Sequence, residues 1–143
     1  MINIYSNRFI DEVYEIEKET YKYPWIKSQF SRYSLEESNS VSCVYTFESR
    51  IIGYLMAEII LDEVHIHNLV VKKIYRNNNI ARNLVEYLIN KSKFSNKNKV
   101  CLEVNCANFS ALSLYNSIGF QKVGKRKQYY QDGKDAILMD FQI

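Results

Sequence analysis

The 143-residue chain contains one proline, four glycines, three cysteines, two histidines and one tryptophan. Pro24 is the only proline, and no repeat or low-complexity stretch interrupts the chain, so residues 1–143 read as one domain. Cys43, Cys101 and Cys106 are odd in number and form no CxxC, which excludes a disulfide framework and a zinc motif. They read as small apolar side chains kept reduced. A nucleophilic Cys106 has no assigned histidine partner. His65 and His67 form an H-x-H on one strand, but no third or fourth metal ligand is signalled, so the pair is expected to border a groove or pack. The most apolar run, "IIGYLMAEII", is too short to span a membrane and contains Glu58. The N-terminus shows no apolar signal core, and the expectation is a cytoplasmic protein without a membrane partner. Lys plus Arg number 19 and Asp plus Glu 16, and the resulting +3 is too mild to imply direct nucleic-acid binding.

What is present suffices for a core: 47% of residues are hydrophobic and 24% charged. "INIYS" at residues 2–6 reads as a short strand. Phe9, Val13, Ile16 and Thr20 recur at helical spacing. Pro24 then biases Tyr23 away from helix, and residues 26–38 suggest a second short helix. Residues 40–48 and 50–61 read as an antiparallel hairpin. Residues 63–72 begin with alternation and end in a continuous apolar run, so that end is expected to be buried on both faces. Ile80, Leu84, Val85 and Leu88 mark a helix to about Phe94, "NKNK" a surface loop and "VCLEV" a buried strand. Ala111, Leu114, Tyr115 and Ile118 share a helix face, with Asn108 suited to the N-cap and Gly119 to the left-handed position after the last turn. Residues 120–130 and 135–143 flank the turn signal "QDGK". The order is βααβββαβαββ, an α/β (α+β) fold with a mixed, mostly antiparallel sheet and flanking helices.

Two polar side chains stand out in "LEVNCANFSALSLYNSIGF", residues 102–120. Glu103 interrupts an apolar strand, and Tyr115 lies on the apolar stripe of a helix. An alternating strand can instead turn Glu103 to solvent, and a tyrosine at helical spacing is often core.

The element order, together with "YPW", "LDE", "NLVV", "LEVNCAN", "ALSLYNSIGF" and the ending "RKQYY…DGKDAILM", resembles the GNAT acetyltransferase superfamily over nearly the whole chain. Within it, the chain is similar to the bacterial ribosomal-protein alanine N-acetyltransferases. The resemblance implies a sheet splayed open between the strands at 64–72 and 99–104, with acetyl-CoA as co-substrate in the opening and no metal. It also implies direct attack by an amine, with Glu103 as general base and Tyr115 as general acid. A buried carboxylate, its pKa raised by desolvation, would serve as that base.

"YRNNNIARNL" joins a strand to a helix, where unpaired N–H groups and the helix dipole can hold a pyrophosphate. The superfamily's pattern here is Arg/Gln-x-x-Gly-x-Gly/Ala. This chain has Arg76, Asn77, Asn78, Asn79, Ile80 and Ala81, followed by Arg82. Asn79 replaces the first glycine. Asparagine tolerates left-handed backbone at a cost of about 1 kcal/mol. Arg76 and Arg82 could add charge-assisted phosphate contacts; a solvated polar loop capping the helix is the plainer alternative. By the same resemblance, Leu69, Val70 and Val71 offer backbone contacts to the cofactor and its acetyl oxygen, and Asn108 a side-chain contact. The implied partner is the basic N-terminal tail of a small-subunit ribosomal protein. Glu36, Glu37, Asp62 and Glu63 are candidates to pair with that tail. Trp25, Tyr33, Tyr129 and Tyr130 are candidate groove walls, and a monomer is expected. Two other readings stand beside this one: a GNAT acting on lysine or a small amine, and a non-catalytic acyl-CoA-binding module.

Overall fold

The structure, a computed structural model, describes residues 1–37 and 39–143. Among these residues, seven strands form one sheet: β1 (Ile2–Ile4), β2 (Cys43–Phe47), β3 (Arg50–Ile60), β4 (Glu63–Val71), β5 (Lys99–Asn105), β6 (Gln121–Arg126) and β7 (Ala136–Gln142). Their spatial order is β1-β2-β3-β4-β5-β7-β6. Only β4 and β5 run parallel; the other neighbours are antiparallel. The mixed sheet expected from the sequence is therefore observed. Among the described residues, no helix is long and apolar enough to cross a membrane.

Among the described residues, three α-helices cover the sheet: α1 (Ile10–Thr20), α2 (Ile80–Phe94) and α3 (Phe109–Ile118). The expected helix at 26–38 is a 3-10 helix over Lys27–Tyr33. Its chain leaves helical backbone at Ser34 (ψ 154°), and Ser38 lies outside the described residues. Val13 and Ile16 of α1 pack with Phe30 and Tyr33 on Tyr54, Met56 and Val70 of one sheet face. Ile80, Leu84, Val85 and Leu88 of α2, with Tyr115 of α3, pack on Leu55, Ala57, Val64, Ile66 and Val71 of the other. β6 ends at Arg126, four residues before the expected Tyr130. Gln128 takes a positive φ of 50° and its N–H donates to the Asp135 carboxylate, so the chain leaves the ladder early.

β4 contains one residue too many. Met56 pairs with Asn68 and Ala57 with Ile66, which leaves His67 as a bulge. The bulge switches the facing of the strand. Val64 and Ile66 face α2 before it, and Leu69 and Val71 face α2 after it. Asn68 and Val70 thereby turn toward α1. This is why alternation fails at the end of β4 and the sequence shows a continuous apolar run there.

Two buried carboxylates pin the α1 layer to the sheet. Glu17 of α1 is 1% exposed and accepts from Tyr54 Oη (2.6 Å), Asn68 Nδ2 (2.7 Å) and the Trp25 N–H (2.9 Å). Glu58 of β3 accepts from Arg32 through both oxygens (3.1 Å each), and its Oε1 lies 3.1 Å from His67 Nε2. Glu17→Ala would strand three donors at 1–3 kcal/mol for each that stays buried, so a loss of roughly 3 kcal/mol or more is expected; urea denaturation measures it. Burial, partly offset by Glu58, holds the His67 pKa below its ordinary value. The unfolded chain then takes up a proton at higher pH than the folded one. Stability from this site is complete above about pH 6.5 and declines as pH falls through the folded pKa. The urea midpoint should fall less steeply between pH 7 and 5 in His67→Gln than in the native chain.

Candidate functional site

β4 and β5 pair from Glu63 with Lys99 to Ile66 with Leu102, and no further. Beyond that point β4 keeps only β3 and β5 only β7. The sheet is splayed where the resemblance implied. The direction of the β4 amides follows from one bond: Lys72 N–H donates to Ile52 O of β3 at 2.8 Å. By alternation Val70 N–H points the same way, and the amides of Leu69 and Val71 point into the notch. The Val71 carbonyl on that edge accepts from Arg76 Nε at 2.9 Å. Arg76 thus folds back onto the strand end.

The loop that follows turns sharply. Asn77 (φ 66°) and Asn79 (φ 62°, ψ 16°) are both left-handed, as the missing glycine required of Asn79. Asn78 Nδ2 donates to Tyr75 O (3.0 Å) and Arg76 O (3.2 Å). Alternation of left- and right-handed residues makes an anion-binding concavity, and no side chain caps the first turn of α2. Ile80 is buried under α2, so it supplies a core contact and a backbone N–H. Ala81 is partly buried against the same core. Arg82 is occupied otherwise: it meets Glu86 (3.4 Å) and Ser117 of α3. Asn108 caps α3 as expected, accepting the Ala111 N–H at 3.2 Å, and Gly119 has φ 121°.

Tyr115 is buried, 6% exposed, with its ring edge-on to Phe120. Burial first, then the nearby Tyr21 and Tyr130 hydroxyls, push its pKa well above the ordinary tyrosine value. Tyr130 is pushed up to about 12 by burial, then by Glu103, Tyr129, Tyr21 and Asp132. Glu103 and Tyr130 are thus close enough to act on one another electrostatically, as are Tyr130 and Tyr115. Glu103 differs from expectation in one respect. Its side chain is 28% exposed, and its Oε1 lies 3.2 Å from Arg126 Nε of β6. The apolar letters around it belong to the other sheet face: Leu102 and Val104 are 5% exposed each, while Glu103 faces outward.

The outward face of β4 and β5 carries a polar strip that leads to Glu103. Glu63 and His65 face Lys99 and Cys101, and Glu103 follows on β5. Glu63 thus lies on the strip, and Asp62 lies in the turn just before it. Trp25 stacks on Tyr33 at 5.3 Å. Tyr33 is buried and touches His67, so it supports the strip from beneath and does not wall an open groove. Glu36 and Glu37 are exposed.

Sequence reasoning missed Tyr21, Arg126, Glu17 and Asn68. Tyr21 is 41% exposed as a residue, but its hydroxyl end is enclosed and reaches Asn68 Oδ1 at 3.4 Å. Its pKa is pushed up to about 12, by burial and then Glu17, with Arg76 acting the other way. The one available signal was Glu17, a carboxylate on the apolar side of α1. Arg126 gave none, because its partnership depends on β7 lying between β5 and β6.

The Acetyltransferase (GNAT) domain family matches residues 10–143. The [ribosomal protein bS18]-alanine N-acetyltransferase of Salmonella typhimurium is 27% identical over 145 residues, 99% of this chain and 97% of the relative. A Bacillus subtilis protein to which the same activity is provisionally given is 34% identical over 131 residues, 91% of this chain and 87% of that one. Among solved structures, the ribosomal-protein-S18-alanine N-acetyltransferase from Escherichia coli superposes with a TM-score of 0.93 at 27% identity, covering 100% of this chain and 93% of the other. Matched by the family over nearly its whole length and by its relatives in sequence and fold, the chain belongs to the GNAT acetyltransferases.

Proposed function

We propose that the chain transfers an acetyl group from acetyl-CoA to the N-terminal alanine α-amine of a small-subunit ribosomal protein. The observation that carries this reading is the notch itself. The Leu69 and Val71 amides line one edge of this opening, and Glu103 lies on β5 just past the last β4–β5 pair, within electrostatic reach of Tyr130, as Tyr130 is of Tyr115. The relatives' names supply the substrate class.

Acetyl-CoA would supply an activated thioester carbonyl. The loop 76–82 and the first turn of α2 offer backbone N–H groups for its pyrophosphate, and Asn108, at the start of α3, would add a side-chain contact. An N–H of Leu69 or Val71 aimed at the acyl oxygen stabilises the negative charge that develops on attack. Glu103, directly or through one water, takes the proton from the amine nitrogen as the C–N bond forms. Tyr115, held in its protonated form by burial, keeps a proton at Oη for the departing sulfur. An α-amine with pKa near 8 is about a tenth neutral at pH 7, against under ~0.1% for a lysine near 10.4. Little base strength is needed for the first amine and much more for the second. Glu103, partly exposed and not deeply buried, therefore favours the α-amine.

The test is an acetyl-CoA reaction with a basic peptide that starts with alanine and carries an internal lysine, mapped by tandem mass spectrometry. Label on the α-amine is expected. Label on lysine alone would replace the substrate, and binding without label would favour the non-catalytic module. Glu103→Gln and Tyr115→Phe should each lower kcat by roughly 10²-fold or more, with unchanged melting curves. Reversing both charges, Asp62→Lys with Glu63→Lys, should raise KM for a basic peptide and leave kcat nearly constant. An unchanged KM would remove these two side chains from the peptide site.

A further inference from the structure

Beside the notch, the polar strip holds three ligand-type side chains that the proposed reaction does not use together. His65 of β4 and Cys101 of β5 are register partners, and Glu63 lies two residues before His65 on the same face. Glu63 Oε2 is 2.9 Å from His65 Nε2 and 3.5 Å from Cys101 Sγ, and Cys101 Sγ is 4.0 Å from His65 Nε2. Among the described residues, no other trio of His, Cys, Asp or Glu side chains converges in this way.

The geometry separates two kinds of chemistry. A nucleophile–base–orienter triad uses the two different ring nitrogens of its histidine. Here carboxylate and thiol both meet Nε2, so the three atoms surround one point. A tetrahedral ion with bonds of about 2.0 Å to N and O and 2.3 Å to S sets N···O about 3.3 Å apart and contacts to sulfur about 3.5 Å. The observed separations each lie within about 0.5 Å of those values. Lys99 Nζ takes the other carboxylate oxygen, Oε1, at 3.5 Å, which leaves Oε2 to the trio. His67 is not part of the group, because its Nε2 is engaged by Glu58.

We propose that Glu63, His65 and Cys101 bind one thiophilic divalent cation of the Zn(II) class, as a three-ligand site with an open fourth position. The ligand set has one soft sulfur, one imidazole and one carboxylate, which suits zinc and disfavours magnesium or calcium. Burial first, then Asp140 and Glu63, push the Cys101 thiol up to about 12. The cation must therefore displace a held proton, and affinity should fall on acidification. The H-x-H pattern signalled no further ligand in the sequence because Cys101 arrives from a strand 36 residues away, brought alongside only by the parallel β4–β5 pairing.

The test titrates the reduced, full-length chain with Zn(II) in a calorimeter and records the absorption spectrum of its Co(II) form. One Zn(II) per chain and a thiolate-to-Co(II) band are expected. Cys101→Ala or His65→Ala should weaken binding by at least about 10- to 100-fold, the loss that even an outer-shell partner causes, and Cys106→Ser should leave it unchanged. No Zn(II) uptake by the native chain, no thiolate band, or an affinity untouched by both ligand variants would overturn the proposal. Circular dichroism melting reports whether each variant folds. If one does not, the native Co(II) spectrum decides alone.

Discussion

The structure depends on one extra residue in β4. His67 has no register partner on β3, and the pairing of β4 with β5 ends just before it, at Ile66 and Leu102. A bulge bends and over-twists a strand, and here the two parallel strands separate directly after it. Backbone N–H groups that a closed sheet would satisfy are left facing a gap. A ligand or water must meet them, because an unpaired buried amide costs on the order of a hydrogen bond. The same insertion turns Asn68 and Val70 toward α1, and Leu69 and Val71 toward α2. The splayed sheet, the exposed amides and the two apolar cores are thus consequences of a single irregularity.

The side of the notch nearer α1 is held by polar contacts as much as by apolar ones. Among the described residues no cation pairs with Glu17; three donors satisfy it instead. That arrangement fixes Tyr54 and Asn68 of the sheet and the backbone of Trp25 at once. Asn68 in turn positions the Tyr21 hydroxyl, which lies near enough to Tyr115 to raise its pKa. A hydrogen-bonded path therefore links α1 through Asn68 to Tyr21, whose hydroxyl acts electrostatically on the tyrosine proposed as proton donor. On the other side, Arg126 steadies Glu103 from β6.

Much of this was legible in the letters. Helical spacing located α1, α2 and α3, and the Asn108 cap and the positive φ at Gly119 follow from side-chain chemistry that acts within a few residues. The left-handed Asn79 was readable from the glycine it replaces. Three features were not, each for a physical reason. The apolar neighbours of Glu103 suggested burial, but period-2 alternation puts Leu102 and Val104 on one face and Glu103 on the other. Residues 26–38 carry helical spacing, yet the chain manages only a 3-10 helix over Lys27–Tyr33 before it turns extended at Ser34. The strand proposed for residues 120–130 ignored that Asp135 captures the Gln128 amide and ends the ladder early. The early end of β6 is a turn contact overriding a local pattern.

Hydrogen exchange at the Leu69, Val70 and Val71 amides tests the central claim most directly. Val70 faces β3 and serves as the internal reference. Fast exchange at Leu69 and Val71 in the free chain, slow exchange at Val70, and protection of one or both fast amides on addition of acetyl-CoA are expected. Protection of all three in the free chain would mean that the sheet is closed there. Fast exchange at Leu69 and Val71 that saturating acetyl-CoA leaves unchanged would mean that the open edge is not where the thioester is held.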